Sequence, residues 1–419
     1  MRVRIQKSAL GGTVTAPPSK SMAHRALICA ALAKGESTVT NVAFSQDIAA
    51  TVRALRAFGA QIEQSGGEVT VRGGALRAPS APVDCGESGS TLRFLIPLAA
   101  LLGEPVVFTG HGRLLQRPQT VYERLFAGCG VSFEHTPQAI RVCGRLAPGR
   151  YRVAGDVSSQ FITGLLLALS LLDGPSELAV TGAFESASYA ALTASAMADF
   201  GVPVRREGQT FFLSGGAGYR PREYRVEGDW SQAAFFAVLG AAVGGVGVAG
   251  LRADSLQGDR AILAILRRAG ARIACEDGVY RFEKSALRGG EIDLADCPDL
   301  GPVLMALGLL CAGETHIVHA RRLRLKESDR IGAMEQEIRR MGGRIASGED
   351  DVTVVGGALH GAALQAHGDH RVAMAMAVAA LASGAEATVD GAEAVEKSYG
   401  DFWRDLRALG AEVTQDGTA

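Results

Sequence analysis

The sequence has no CxxC pair, no GxxxxGK[ST] loop and almost no net charge, and each absence closes a class of function. Its seven cysteines (29, 85, 129, 143, 275, 297 and 311) are scattered and odd in number. That excludes a zinc ribbon or disulfide framework and fits reduced thiols in a cytoplasm. Without a P-loop, or a strand-borne GxGxxG followed by a ribose-binding acid, nucleotide binding is disfavoured. Gly244-Gly245-Val246-Gly247 follows a helical stretch where a dinucleotide loop would precede one. The first residues, MRVRIQKSALGG, lack the apolar run of a secretion signal. There are only 14 prolines, and the 53 glycines have no Gly-X-Y period, so the chain is neither collagen-like nor disordered. With 43 basic and 44 acidic residues the net charge is −1, which leaves no broad footprint for nucleic acid or an anionic membrane. The uncharged run from Ala233 to Leu251 is long enough to raise a membrane span. Five glycines (240, 244, 245, 247 and 250) crowd its second half, so it predicts a buried helix, a turn and a strand. His316-Ile-Val-His319 reads as alternating strand positions. No cluster has metal-ligand spacing, so neither metal nor cofactor is expected.

What is present is a repeat. LRAFGAQI, LFAGCGVSF, MADFGVPV, LRRAGARI, IRRMGGRI and LRALGAEV share an apolar helix end, a glycine and a strand start. Their glycines (59, 130, 201, 270, 342 and 410) are 71, 71, 69, 72 and 68 residues apart. A second series of apolar stretches begins at Ser19, Ser88, Val157, Asp229, Cys297 and Gly368, in step with the first. Each stretch is apolar nearly all round and predicts a buried helix ended by glycine. Short β-branched segments such as STVTNV, PVVFTG and THIVHA follow as strands. A third series, from SQDIAATVRALRAFG at Ser45 to YGDFWRDLRALG at Tyr399, gives amphipathic helices. Six units of about seventy residues fill the chain. The sixth lacks its last strand, which the N-terminal RVRIQ could supply. The sequence therefore predicts a discontinuous domain of 1–18 plus 229–419, around a domain of 19–228.

A plain solenoid would repeat a consensus surface. Here each helix opening carries different reactive residues. The buried helices open on Ser19-Lys20-Ser21 with Arg25, Ser88-Gly89-Ser90 with Arg93, Ser158-Ser159-Gln160, Asp229, Asp299 and Asp369-His370-Arg371. Serine and aspartate there are good N-caps. Capping does not call for cations in the first turn, where they oppose the helix dipole. They suggest an anion held at the helix start. The amphipathic helices add Arg117, Ser186 with Tyr189, Lys326-Glu327-Ser328-Asp329-Arg330 and Lys397. Lys326 and Arg330 are expected one turn apart on one helix face. If the repeats converge, these cations meet, and the fitting ligand is small and carries phosphates and carboxylates. Asp299, Glu327 and Lys20 are the acid–base candidates. Local sequence leaves each open as cap, solvated charge or catalytic group.

PSKSMAHRAL, ESGSTLR, LLQRP, GDVSSQF, CPDLGP, LRLKESDRI, GDHRVAMA and VEKSYGDF resemble, in order and over the whole chain, the signature segments of the 5-enolpyruvylshikimate-3-phosphate synthase family. The resemblance implies an α/β fold of two similar domains, each of three βαβαββ repeats. This is the inside-out α/β barrel of the enolpyruvyl transferases, with the active site in the cleft between domains. It implies transfer of the enolpyruvyl group of phosphoenolpyruvate to the 5-hydroxyl of shikimate 3-phosphate, in the shikimate pathway of aromatic amino-acid biosynthesis. It implies that Lys20, Ser21, Arg25, Ser158, Ser159, Gln160, Ser186, Tyr189, Asp299 and Lys326 hold shikimate 3-phosphate. Lys20, Gly89, Arg117, Gln160, Arg330, His370, Arg371 and Lys397 then face phosphoenolpyruvate. Asp299 takes the role of the base near the 5-hydroxyl, and Glu327 that of proton transfer at the enol methylene. A monomer working on two small anionic substrates, with no nucleic acid or membrane, follows, as does inhibition by glyphosate beside Gly89. The chain departs from the family at Glu87 (commonly asparagine), Ser90 (commonly threonine) and Arg322 (asparagine in some members).

Two rivals frame that reading. UDP-N-acetylglucosamine enolpyruvyl transferase shares the fold but typically carries a loop cysteine and an asparagine after its early lysine. Here Ser21 follows Lys20, and the loop from His111 to Arg117 has no cysteine. The other rival is a non-catalytic repeat scaffold that binds phosphorylated ligands.

Overall fold

Left-handed glycines set the rhythm of this chain. The computed structural model describes residues 1–216 and 218–416. In it Gly59, Gly130, Gly201, Gly270, Gly342 and Gly410 all have positive φ, between 70° and 102°. Each reverses the chain between an amphipathic helix and a strand. Any other L-residue would cost roughly 1–2 kcal/mol there, which is why the spacing is visible in the sequence.

Two helices accompany each repeat. They are α1 (Lys20–Leu32) and α2 (Gln46–Ala57), α3 (Gly89–Ala99) and α4 (Thr120–Ala127), α5 (Ser159–Leu169) and α6 (Ala187–Asp199), α7 (Trp230–Val243) and α8 (Ile262–Arg268), α9 (Gly301–Leu310) and α10 (Arg330–Arg340), and α11 (His370–Ser383) and α12 (Phe402–Ala408). The odd-numbered helices are buried on every face. In α11 every residue from His370 to Leu381 is buried, polar ones included. The even-numbered helices bury one stripe. In α10 that stripe includes Ile331, Met334, Glu337 and Ile338.

Among the described residues the strands form six four-stranded sheets of one pattern. Val83–Asp84 runs parallel to Val106–Thr109, which pairs antiparallel with Ile140–Cys143, itself antiparallel to Ser132–His135. This is the βαβαββ repeat: a parallel pair joined across a buried helix, then a hairpin reached through an amphipathic helix.

The chain divides into two compact units, residues 18–227 and residues 1–17 with 228–419. Each has its own apolar core. The division is made by exchanged strands. Gly12–Thr15 pairs parallel with Val246–Ala249, whereas Glu223–Arg225 pairs with Thr38–Thr40. Arg2–Ile5 lies between Ala387–Asp390 and Val413–Asp416, antiparallel to both, and so supplies the strand the sixth repeat lacks. The Ala233–Leu251 run resolves into α7, the positive-φ pair Gly244 and Gly245, and the strand Val246–Ala249. Among the described residues no helix is long and apolar enough to cross a membrane.

Candidate active site

In the 18–227 unit the starts of the buried helices are capped by serine hydroxyls, as the sequence suggests. Ser19 accepts from Met22 N–H, Ser88 from Thr91 N–H and Ser158 from Gln160 N–H. The cations around them are held by specific partners. Lys20 donates to Asp47 on α2 at 2.6 Å, with both side chains mostly buried. Arg25 is 2 % exposed. It donates from Nε to Thr193, from Nη1 to the Ser21 carbonyl, and from Nη2 to Thr163 and the Tyr189 carbonyl. It also lies over the rings of Phe94 and Tyr189. No carboxylate pairs with it among the described residues. Burial pushes Arg25 down to about 10, so it stays charged at neutral pH.

Arg93 and Gln160 tie the second and third repeats together. Arg93 Nη1 donates to Gln160 Oε1 at 2.9 Å, and Gln160 Nε2 donates to Ser90 at 3.1 Å. Arg117 follows a short 3₁₀ turn, Leu114–Gln116, and is 6 % exposed. Its guanidinium packs on Gly89 so closely that a Cβ there would lie 2.7 Å from Nη1. Arg117 Nε–H is buried with no partner among the described residues. Ser159 is buried at the first position of α5. Ser186 precedes α6 with a left-handed backbone, φ 56°, a conformation that costs about 1–3 kcal/mol and concentrates at functional sites.

The other unit gathers its charges more tightly. Asp299 sits in the 3₁₀ turn Pro298–Leu300. The N-cap residues of that turn and of α9, which follows it, are Cys297 and Leu300, so Asp299 stands at neither cap position. Its carboxylate instead faces three cations. Oδ1 accepts from Lys326 Nζ and from Arg330 Nη1, each at 3.2 Å, and Oδ2 lies 3.3 Å from Arg371 Nη2. Arg371 Nη1 also donates to the Asp299 carbonyl at 2.9 Å. Lys326 and Arg330 do not share a helix face, contrary to the sequence expectation. Lys326 ends the 3₁₀ turn Arg321–Leu325, Asp329 caps α10, and Arg330 is its first residue. The two meet at Asp299 because the chain turns between them.

Arg330 is the hub of this cluster. It is 1 % exposed and binds three carboxylates: Asp369 at 2.8 Å, Glu327 at 2.7 Å and Asp299 at 3.2 Å. Burial alone would lower its affinity for the proton. The Asp369, Glu327 and Asp299 charges outweigh burial and raise it. Burial opposes ionisation of Asp369 as well, but Arg330 prevails and holds that carboxyl below its usual range. Burial pushes Lys326 down, and Asp299 returns only part of the shift. Asp369 also caps α11 through Arg371 N–H and accepts from Ser328. His370, the first residue of α11, is 1 % exposed. Lys397 Nζ donates to the Gly368 carbonyl at 2.8 Å. Arg371 keeps a buried Nε–H with no partner among the described residues. Such N–H groups in Arg117 and Arg371 suit an incoming anion, since buried donors are otherwise almost always satisfied.

Asp47, Asp369, Ser328, Thr163 and Thr193 complete these clusters, and the sequence did not single them out as site residues. Asp47 lies in the first turn of α2, and Asp369 had a local explanation as a cap. Their real partners lie 27 and 39 residues away. The flagged departures are placed too. Arg322 is buried and donates to the Ala295 carbonyl, and the Glu87 carboxylate lies against Gly112. Among the described residues no group of three His, Cys, Asp or Glu side chains could hold a metal ion.

The repeat architecture places the chain in a class of protein, that of the two-unit enolpyruvyl transferases. The enolpyruvyl transferase NikO of Streptomyces tendae matches it with a TM-score of 0.82 over 100% of this chain and 99% of its own, at 18% identity, a likeness of fold. EPSP synthase of Acinetobacter baumannii matches with a TM-score of 0.83, at 27% identity, over 99% of this chain and 100% of its own. The family model for EPSP synthase (3-phosphoshikimate 1-carboxyvinyltransferase) matches residues 5–406, and the chain belongs to that family. The 3-phosphoshikimate 1-carboxyvinyltransferase of Clostridium kluyveri is 43% identical, over 99% of this chain and 98% of its own. The protein of the same name from Clostridium novyi is 39% identical, over 99% and 98%.

Proposed function

We propose that this chain is a 3-phosphoshikimate 1-carboxyvinyltransferase, moving the enolpyruvyl group of phosphoenolpyruvate to the 5-hydroxyl of shikimate 3-phosphate and releasing phosphate. The observation that carries the reading is Asp299, a carboxylate at the head of a buried helix that faces Lys326, Arg330 and Arg371. Family membership supplies the substrates.

The chemistry has two stages. A proton adds to the methylene carbon of phosphoenolpyruvate, the 5-hydroxyl oxygen bonds to C2 and its own proton leaves. The product is a tetrahedral ketal. The C–O bond to phosphate then breaks, a methyl proton leaves, and the double bond re-forms as a carboxyvinyl ether. Asp299 takes the hydroxyl proton, and Glu327 serves the methylene, with Lys20 as the third acid–base group. Arg117, Arg330, His370, Arg371, Lys397 and Lys20 hold phosphoenolpyruvate beside Gly89 and Gln160. Lys20, Ser21, Arg25, Ser158, Ser159, Gln160, Ser186, Tyr189, Asp299 and Lys326 hold shikimate 3-phosphate. Cations placed in advance stabilise the departing phosphate. The seven thiols, none in a disulfide, suit a cytoplasmic enzyme. Only four large apolar side chains are exposed among the described residues, which supports a monomer.

Phosphate release tests the reading. Release from phosphoenolpyruvate is expected with shikimate 3-phosphate as acceptor and not with UDP-N-acetylglucosamine. Glyphosate should inhibit that release competitively against phosphoenolpyruvate. Release with the UDP-sugar alone would give the case to the rival transferase, and binding without release would give it to the scaffold. Gly89→Ala sharpens the assignment. The added methyl must displace the Arg117 guanidinium. The KM for phosphoenolpyruvate is expected to rise about tenfold, with that for shikimate 3-phosphate nearly unchanged, as for loss of one positioned contact. Equal shifts in both would remove Arg117 from the phosphoenolpyruvate side.

A further inference from the structure

Glu337 and His367 lie outside every role assigned above, yet the structure spends a buried carboxylate and a strained backbone on bringing them together. Glu337 is fully buried on α10. Its Oε1 lies 2.7 Å from His367 Nε2, and its Oε2 accepts from Gln365 N–H at 3.0 Å. Arg340 Nη1 is 3.5 Å away. His367 has a left-handed backbone, φ 52°, and Gly368 follows at φ 65°. Asp369 N–H donates to the Ala366 carbonyl at 2.9 Å. Two successive positive-φ residues closed by that bond make a type I′ turn, whose first central position favours asparagine or glycine over histidine.

The turn sits where the cluster is built. It joins the strand Ala362–Gln365 to α11. Its Gly368 carbonyl holds Lys397, and its last residue, Asp369, holds Arg330 and caps α11 ahead of His370 and Arg371. Arg330 and Glu337 are seven residues apart on α10, two turns and about 10 Å along one face. One helix therefore grips the turn at both ends, through Arg330 at Asp369 and through Glu337 at Gln365 and His367.

We propose that Glu337 and His367 are positioning residues that lock this turn, and through it set the phosphoenolpyruvate-side cations Lys397, Arg330 and Arg371. The inference rests on the functional reading above, which assigns those cations. A residue that only stabilised the unit would change both substrates' kinetics together.

The test uses the full chain with His367→Asn, which keeps a residue at home in the left-handed region but cannot reach Glu337, and with Glu337→Gln, which is nearly isosteric. Expected for His367→Asn is a KM for phosphoenolpyruvate raised about tenfold, with that for shikimate 3-phosphate within about twofold, as for a displaced contact. Glu337→Gln, which retains an acceptor for Gln365 N–H, should show the same split to a smaller degree. A second readout needs no turnover: the acetylation rate of Lys397, followed by mass spectrometry, should rise about threefold or more once Gly368 no longer holds it, as local opening would require. Unchanged KM values, or equal shifts for both substrates, in an active enzyme overturn the proposal, as does an unchanged labelling rate. A wild-type chain that releases no phosphate would defeat the functional reading, and the labelling rate would still decide whether the turn is locked.

Discussion

Lys20→Met is expected to lower kcat by about 10³, the order seen when a placed charge is removed from a transition state, while leaving the fold intact. Methionine keeps the stem that packs at the start of α1 and removes only the ammonium. That ammonium is bonded to Asp47 at 2.6 Å, with the lysine side chain 18% exposed and the aspartate 14%. The Asp47 carboxylate is left without this partner, at a cost of about 1–3 kcal/mol. A second variant separates the two effects. Lys20→Met with Asp47→Asn should regain stability in urea and stay inactive. If Lys20 merely balanced Asp47 at a helix start, the single variant would lose stability and keep its turnover. Near-normal activity in either variant would remove Lys20 from the chemistry.

Asp369→Ala carries the largest expected loss of stability, about 3–5 kcal/mol, as for one partner taken from a buried ion pair. Asp369 and Arg330 are 0% and 1% exposed. The variant also loses the cap of α11 and the bond from Ser328. Asp369→Asn keeps an oxygen to cap Arg371 N–H and loses only the charge, so it should be less damaging. The pH dependence has a definite sign. Arg330 overcomes burial and holds the Asp369 carboxyl below its ordinary value in the folded state. The pair's contribution is therefore complete above the unfolded-state value of about 4, and it drains away as pH falls toward the folded-state value. In urea unfolding, the gap between wild type and Asp369→Asn should be level from about pH 7 to 5 and narrow below about pH 4. A gap that did not change with acid would mean that the charge contributes nothing.

These two carboxylates also mark where the sequence stopped being readable. The repeat was legible because its punctuation is local: a glycine of positive φ must follow each amphipathic helix. The Ala233–Leu251 run was legible for the same reason, since its glycines end one helix and admit a turn. The cations were legible as a set because they sit where a capped helix has no use for them. Their partners were not. Asp47 reads as an ordinary first-turn acid, and Asp369 does cap its helix. Only the fold shows that each also neutralises a cation from elsewhere in the chain. Asp299 was read as cap or base; it stands at neither N-cap position, and its carboxylate faces Lys326, Arg330 and Arg371. Lys326 and Arg330 have helical spacing in KESDR, but Asp329 caps α10 between them, so spacing gave the wrong geometry and the right neighbourhood. His367 carried no signal at all, because a left-handed histidine is chosen by the turn it occupies and the buried Glu337 it meets.

Carbon-13 NMR of the product formed from phosphoenolpyruvate labelled at C2 and C3 tests the central claim most directly. With shikimate 3-phosphate present, the label should appear in a carboxyvinyl ether at the 5-oxygen, with one phosphate released for each ether formed. Label that stays in phosphoenolpyruvate, or that passes instead to a UDP-sugar, would contradict the account.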